Sequence, residues 1–304
     1  MEQARLRAMG LRQTFISAAA LVCSGATGCT FNVPDSNLPP PPPTPPIADD
    51  LAVPDLSLPA PPPDLAAVEP DLAPVPDLAT NPACTRIAED FAADPAATWT
   101  LAGSATYDAT AKRLQLTPPS SGAAGSAFFS TKQHVPAFEA RFKFYIGDGS
   151  GADGMAMVFA KAQAVTDLKP FGDGQSSLAY GLGYLGMDGF ALELDTYKNL
   201  GNGDPDDNHV ALTVAANGTH FLVGKKPSPP LRSASERSAR MRFDGHHFLV
   251  EVDDKPLIDA DLPPTIVFMP ADYFIGFTGA SGGLTDRHRV GPLSIVIGPP
   301  DVCF

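Results

Sequence analysis

Positive charge is scarce in this chain of 304 residues: 21 Lys and Arg stand against 34 Asp and Glu, a formal charge of −13. So acidic a surface repels polyanions, which excludes nucleic acid as a partner. Basic residues are missing from Gln13 to Thr85, and Phe, Tyr and Trp are missing from Asn32 to Asp90. Proline takes their place, with 17 in the 49 residues from Pro34 to Pro82. A stretch with no aromatic anchor and so many positions lacking an N–H cannot build a core. The expectation is a disordered proline-rich linker over 29–83 and a single folded domain over 84–304, which holds the only Trp and all 6 Tyr.

A long apolar run is also missing. Arg5, Arg7 and Arg12 precede the apolar stretch Thr14–Ala26, about a dozen residues where a membrane crossing needs about 20. The pattern is that of a secretory signal peptide over 1–28 rather than a transmembrane helix. Its end, Ala26-Thr27-Gly28-Cys29, resembles the lipobox of bacterial lipoproteins, with Ala26 where Leu is usual. That resemblance implies lipidation of Cys29 and an anchor in the cell envelope, at the outer membrane or cell surface; the alternative is plain secretion. Between anchor and domain, Pro-Asp-Leu recurs at Pro54, Pro63, Pro70 and Pro76 with irregular spacing. Such a segment reads as a spacer, extended at about 3.1 Å per residue and reaching roughly 150 Å.

Cysteine is nearly absent too. Of four, Cys23 falls in the signal peptide and Cys29 at the lipid site, leaving Cys84 and Cys303 at the two ends of the domain. First and last strands of a two-sheet β fold commonly lie side by side, so an exported domain would bridge these two; the alternative is two free thiols.

No segment of the domain shows a long helical period. Phe138–Ile146 alternates apolar and polar residues, and short runs of the same kind recur at 154–160, 190–195, 209–215, 247–252, 273–278 and 293–297, separated by Gly, Pro, Asp and Asn. An all-β sandwich is predicted. Met155 and Met157 read as core, His246 and His247 as neighbours on opposite faces of a strand, and His288, between Arg287 and Arg289, as surface.

The most informative run is Phe190-Ala191-Leu192-Glu193-Leu194-Asp195-Thr196-Tyr197-Lys198-Asn199, followed by Asp204 and His209. In an extended chain Glu193, Asp195, Tyr197 and Asn199 share a face. Paired carboxylates in a half-buried strand repel each other unless a cation neutralises them. Oxygen ligands suit Ca²⁺, and carboxylates with one imidazole suit Mn²⁺ or a similar transition ion. On spacing alone a solvated acidic loop remains the alternative.

This run, Glu-x-Asp-x-aromatic-x-Asn and then Asp and His, resembles the signature of legume-type (L-type) lectins, whose fold is a concanavalin A-like jelly-roll sandwich. The resemblance extends over most of Glu89–Ile297. It implies Glu193, Asp195, Asp204 and His209 around Mn²⁺, and Asp195, the Tyr197 carbonyl, Asn199 and Asp204 around Ca²⁺. Gly151-Ala152-Asp153-Gly154 resembles the family strand in which an Asp after a cis peptide accepts hydrogen bonds from sugar hydroxyls. Tyr180–Gly186 and Gly276–Leu284 resemble the loops whose backbone amides complete the sugar site, which nominates Gly183, Gly283 and Leu284. Asn199 would donate through its amide and Tyr197 would offer an aromatic face. The short loop from Gly276 to Val290 is of a length associated with mannose- or glucose-preferring members. Binding of glycans without turnover follows, in chains that often pair through sheet edges. Lys198 and the Gly201-Asn202-Gly203 loop are departures that would alter metal affinity.

Two other readings compete. Some β-glucanases share the sandwich and carry Glu-x-Asp-x-x-Glu on one strand, but the sixth position here is Lys198, so the acid is missing. A structural or adhesive domain that has lost sugar binding would need the ligand set to be incidental.

Overall fold

Phe138–Gly147 shows why the chain folds into strands. Phe138, Ala140, Phe142, Phe144 and Ile146 are buried while Arg141 and Lys143 stand exposed, the two-residue period of a sheet with one dry face. The computed structural model describes residues 84–170, 181–201 and 203–304. The expected signal peptide, Cys29, the proline-rich linker, Tyr180 and Asn202 lie outside the described residues.

Within them come β1 (Thr85–Glu89), β2 (Trp99–Gly103), β3 (Thr106–Asp108), β4 (Arg113–Thr117), β5 (Ala124–Phe129), β6 (Gln133–Val135), β7 (Phe138–Gly147) and β8 (Gly154–Lys161). Then follow β9 (Asp188–Asp195), β10 (His209–Val214), β11 (Thr219–Val223), β12 (Arg237–Phe243), β13 (His247–Val252), β14 (Lys255–Asp261), β15 (Ala271–Ala280) and β16 (Arg287–Ile297). A short helix, α1 (Pro300–Cys303), comes after β16.

One sheet runs β14-β13-β12-β7-β16-β4-β3, with β1 also paired to β16; the other runs β11-β10-β9-β8-β15-β5-β2, with β6 also paired to β15. This is the predicted all-β sandwich. Its interior is aromatic: Phe159 stacks on Phe190 at 4.6 Å and Phe243 on Phe248 at 4.4 Å. Met155 and Met157 join that core, as expected. A second, smaller cluster on the outer face of β8 and β9 packs Tyr184, Leu182 and Met187 over Ala156, Val158 and Ala191.

The termini of the domain meet as predicted. β1 pairs antiparallel with β16, Thr85 opposite Ile297, and Cys84 is bridged to Cys303 with their Cα atoms 5.7 Å apart.

Two histidine expectations are corrected. His288 is fully buried rather than at the surface. Alternation along β16 turns it away from its arginine neighbours, and its Nδ1 lies 2.6 Å from Thr117 Oγ1; burial pushes its pKa down to about 3. His246 and His247 both reach Asp261, at 3.5 and 2.7 Å, instead of diverging. His246 belongs to the turn before β13, so strand alternation does not apply to it.

Candidate functional site

The alternation of β9 sorts its residues cleanly. Leu192 and Leu194 enter the core between the sheets, and Glu193 and Asp195 point to the other face, only 3% and 2% exposed. Small neighbours leave room for them: Ala156 and Ala211 flank Glu193, and Gly154 flanks Asp195 opposite His209. A Cβ on Gly154 would stand 2.4 Å from the Leu194 carbonyl oxygen, at a φ of +148. Glycine is therefore required for β8 to approach β9 here. Above Glu193, the Tyr184 hydroxyl donates to Oε1 and itself accepts from Thr213 Oγ1.

After Asp195 the strand ends, which corrects the expectation that Tyr197 and Asn199 continue its alternation. The Tyr197 N–H turns back to Asp195 Oδ1 at 2.7 Å, and the Asn199 N–H donates to Asp204 Oδ2 at 2.6 Å. These carboxylate-to-amide bonds curl the chain into a loop. The loop brings ligand atoms of Asp195, Asp204 and His209 within 4.8 Å of one another, and the pairing of β9, β10 and β11 does the same for Glu193, His209 and His220. Glu193 Oε2, Asn199 Oδ1 and His209 Nε2 are buried without a hydrogen-bond partner.

Such a set is unstable as it stands. Three carboxylates, with Asp204 7% exposed, share one dry site. Burial, and then the Glu193 charge, push the pKa of Asp195 well up; the Glu193 carboxylate raises that of His220. A cation would neutralise this crowd and give the orphaned oxygens and nitrogen a partner. The residues present therefore fit a metal centre: the carboxylates of Glu193, Asp195 and Asp204 and the imidazoles of His209 and His220 converge, and the orphaned Asn199 oxygen follows in the same loop. The His209 ring is already oriented for it: Nδ1 donates to the Asp206 carbonyl at 2.9 Å, leaving the Nε2 lone pair facing the carboxylates. Sequence reasoning missed His220, which arrives from β11 with no local spacing to mark it.

The candidate sugar-binding residues lie next to this centre. The Ala152–Asp153 peptide is cis, as the resemblance implies. The Asp153 N–H donates to the Ala280 carbonyl at 3.1 Å, and Asp153 Oδ2 accepts from the Gly282 N–H at 2.6 Å. The Asp153 carbonyl accepts from both the N–H and the hydroxyl of Thr196, at 2.8 and 3.0 Å. Thr196 directly follows Asp195, so the ligand strand holds the acid by its backbone. Burial pushes the Asp153 pKa up to about 6 against the pull of the Gly282 amide.

The nominated loops are drawn to the same end. Gly183, at φ +81, packs over β15; a Cβ there would lie 3.1 Å from the Gly279 carbonyl oxygen. The 282–284 turn is pinned by Gly122 N–H and Ser121 Oγ, which donate to the Gly282 carbonyl at 3.1 and 2.8 Å. Around Gly283 a Cβ would meet nothing within 4 Å. Gly282, not Gly283 or Leu284, has its amide engaged by Asp153. Tyr197 and Leu284, 39% and 43% exposed, line a cavity of about 570 Å³ together with Gly151, Lys198 and Arg232.

The family profile of the legume lectin domain matches residues 88–295. The chain belongs to the legume lectin family. Among solved structures, this lectin is similar to the lectin of Bauhinia forficata in complex with GalNAc, at a TM-score of 0.54 and 20% identity over 71% of this chain and 99% of that one. It is similar also to the VIP36 exoplasmic/lumenal domain in its Ca²⁺/Man3GlcNAc-bound form, at 0.52 and 16% identity over 69% and 89%. A lectin-like protein of Arabidopsis thaliana, At1g53060, is 27% identical over 145 residues, covering 37% of this lectin and 59% of the relative. The lectin thus spans about three-fifths of that relative's length. At these identities the structural likeness speaks for the fold, which the pairing of the two sheets already displays.

Proposed function

We propose that this lectin binds glycans, without turnover, through a hexose seated against Asp153, with Ca²⁺ and a transition ion held beside it. The observation that carries the reading is the tie between acid and ligand strand: Thr196, next to Asp195, holds the Asp153 carbonyl with two hydrogen bonds. Bound ions would supply the positive charge that lets buried carboxylates stay ionised. The chain's own groups do the rest. Asp153 accepts from sugar hydroxyls through the oxygen that Gly282 leaves free, the Asn199 amide donates, and the backbone amides of Gly183, Gly283 and Leu284 complete the ring. Tyr197 and Leu284 offer apolar surface to the sugar face. Lys198, whose ammonium donates to the Pro205 carbonyl at 2.9 Å, occupies the sequence position at which a glucanase carries its acid, which supports binding over hydrolysis.

The preferred sugars are mannose or glucose. An envelope anchor at Cys29 would gather many copies, so that individually weak sites act together.

Asp153→Asn tests the site. Two charge-assisted hydrogen bonds at about 1.5–3 kcal/mol each place the loss at about 100-fold or more in glycan affinity. Relieving a buried carboxylate does not lower stability, and metal content stays as it was because Asp153 is not among the ligands. Glycan-array binding and titration of the intact chain check both. Unchanged affinity in a folded, metal-loaded variant would remove Asp153 from the site, and exclusive binding of galactosides would overturn the mannose or glucose preference.

A further inference from the structure

β11 is the edge strand of its sheet, and its pairing with β10 slips between Leu212 and Thr213, so that Leu212 faces Leu222 but Thr213 faces His220. Regular pairing would set Phe221 opposite Thr213 and turn His220 to the core side. The bulge instead sends the Phe221 ring to the core, where it lies 6.3 Å from Phe248, and brings His220 onto the face that carries Glu193. Re-aiming a side chain is what bulges beside functional sites do.

There the ring joins the metal cluster. His220 Nε2 lies 3.0 Å from Glu193 Oε2 and 3.8 Å from Asp204 Oδ1, and His209 Nε2 lies 3.9 Å from the same Asp204 oxygen. The His220–Glu193 contact lacks hydrogen-bond alignment, since Glu193 Oε2 remains without a partner. Two ligands bonded to one ion at about 2.0–2.2 Å stand roughly 3.0–3.5 Å apart. The separations observed are those of donors around one centre, closing by a few tenths of an ångström. The side chain is 9% exposed, so its nitrogen faces the cluster rather than solvent.

We infer that His220 is a direct ligand of the transition-ion position and makes it a two-imidazole centre that takes Zn²⁺ in preference to Mn²⁺. Imidazole suits Zn²⁺ and the later first-row ions, and Mn²⁺ stands lowest in the divalent order; carboxylate and water sites are where Mn²⁺ competes. Glu193, His209, His220 and Asp204 supply two nitrogens and two oxygens, a set that a tetrahedral Zn²⁺ accepts. This inference rests on the proposed metal-dependent lectin, and its test separates the two.

The full chain, stripped and resupplied with Ca²⁺, is titrated with Zn²⁺ and with Mn²⁺ in competition with a chromophoric chelator, alongside His220→Gln. Wild type is expected to bind Zn²⁺ about 100-fold more tightly than Mn²⁺ or better, and the variant to lose about 10–100-fold in Zn²⁺ affinity. Mn²⁺ affinity, carried mainly by the carboxylates, falls by less than Zn²⁺ affinity. X-ray absorption on Zn²⁺-loaded wild type, which does not depend on the variant folding, should count two imidazoles per ion. One imidazole, or equal affinity for the two ions, overturns the inference while leaving Ca²⁺-dependent glycan binding in place. Failure to bind Ca²⁺, Zn²⁺ or Mn²⁺ at all overturns the proposed lectin site as well.

Discussion

Cys84→Ser destabilises the full chain by about 5 kcal/mol against wild type in equilibrium urea unfolding under non-reducing conditions. The bridge joins residues 219 positions apart, and in the chain-entropy model a loop of that length removes about 5 kcal/mol of freedom from the unfolded chain. Folded contacts add to it. Among the described residues β1 pairs with one strand, β16, and α1 buries Cys303 without a side-chain cap at its N-terminus. Unclipped, both segments should fray first, so amide exchange in Thr85–Glu89 rises before that of β7 or β8. A loss of only about 1 kcal/mol would show that the unfolded chain keeps its ends together without the bridge.

Chelation at neutral pH lowers the unfolding temperature by on the order of 10 °C, since a ligand held at 100 to 1,000 times its Kd contributes about 3–4 kcal/mol in a domain of this size. The pH dependence distinguishes a metal centre from a solvated acidic loop. In the stripped protein, burial holds the pKa of Asp195 well up and that of Asp153 at about 6. Both lie above the unfolded value, so the folded state binds more protons between the two. The stabilising effect of protonation is full below about pH 4, falls as the pH rises through about 6, and is lost further up for Asp195. Protonation of Asp195 and Asp153 therefore favours stripped protein at pH 5 over pH 7.5, and the buried His288, its pKa pushed down to about 3, opposes part of that gain below about pH 6.5. Loaded protein behaves oppositely, because protons compete with ions for the carboxylates. Differential scanning at both pH values, with and without chelator, should show a large effect at pH 7.5 and a small one at pH 5. Equal effects at both would contradict the assignment of buried ligands.

The parts of this fold that the sequence displays are those where one face is dry and the other wet. β7 announces itself through Phe138, Phe142 and Phe144 alternating with Glu139, Arg141 and Lys143. β5, Ala124–Phe129, is buried on both faces and built largely from Ala, Gly and Ser, so it has neither period nor bulk to mark it. β12 alternates, but its first buried residue is Arg237, whose charge is met by Asp253 at 2.8 Å. A buried ion pair of this kind inverts the rule that reads charge as surface. His288 hides for a related reason, since flanking arginines set no direction for the residue between them.

The candidate site divides the same way. Glu193 through His209 is one strand, one loop and the first residue of the next strand, so its ligands are neighbours in sequence as well as in space. Lys198 in that run reads as a lost acid, and the structure places its ammonium on the loop carbonyl of Pro205. His220 is invisible by such reasoning: it reaches Glu193 through strand pairing and a slipped register, neither of which leaves a mark on local spacing. The Gly282 amide on Asp153 is likewise a contact between residues 129 positions apart.

Glycan binding by the intact chain, measured after chelator stripping and again during back-titration with Ca²⁺, tests the dependence of sugar recognition on the carboxylate cluster most directly. Stripped protein should bind no glycan on an array of mannose-, glucose- and galactose-terminated structures, and binding should return in proportion to Ca²⁺ taken up. Undiminished binding by protein shown to be metal-free would contradict the coupling of Asp153 to Asp195 through Thr196, and with it any part for the ligand strand in holding the sugar site.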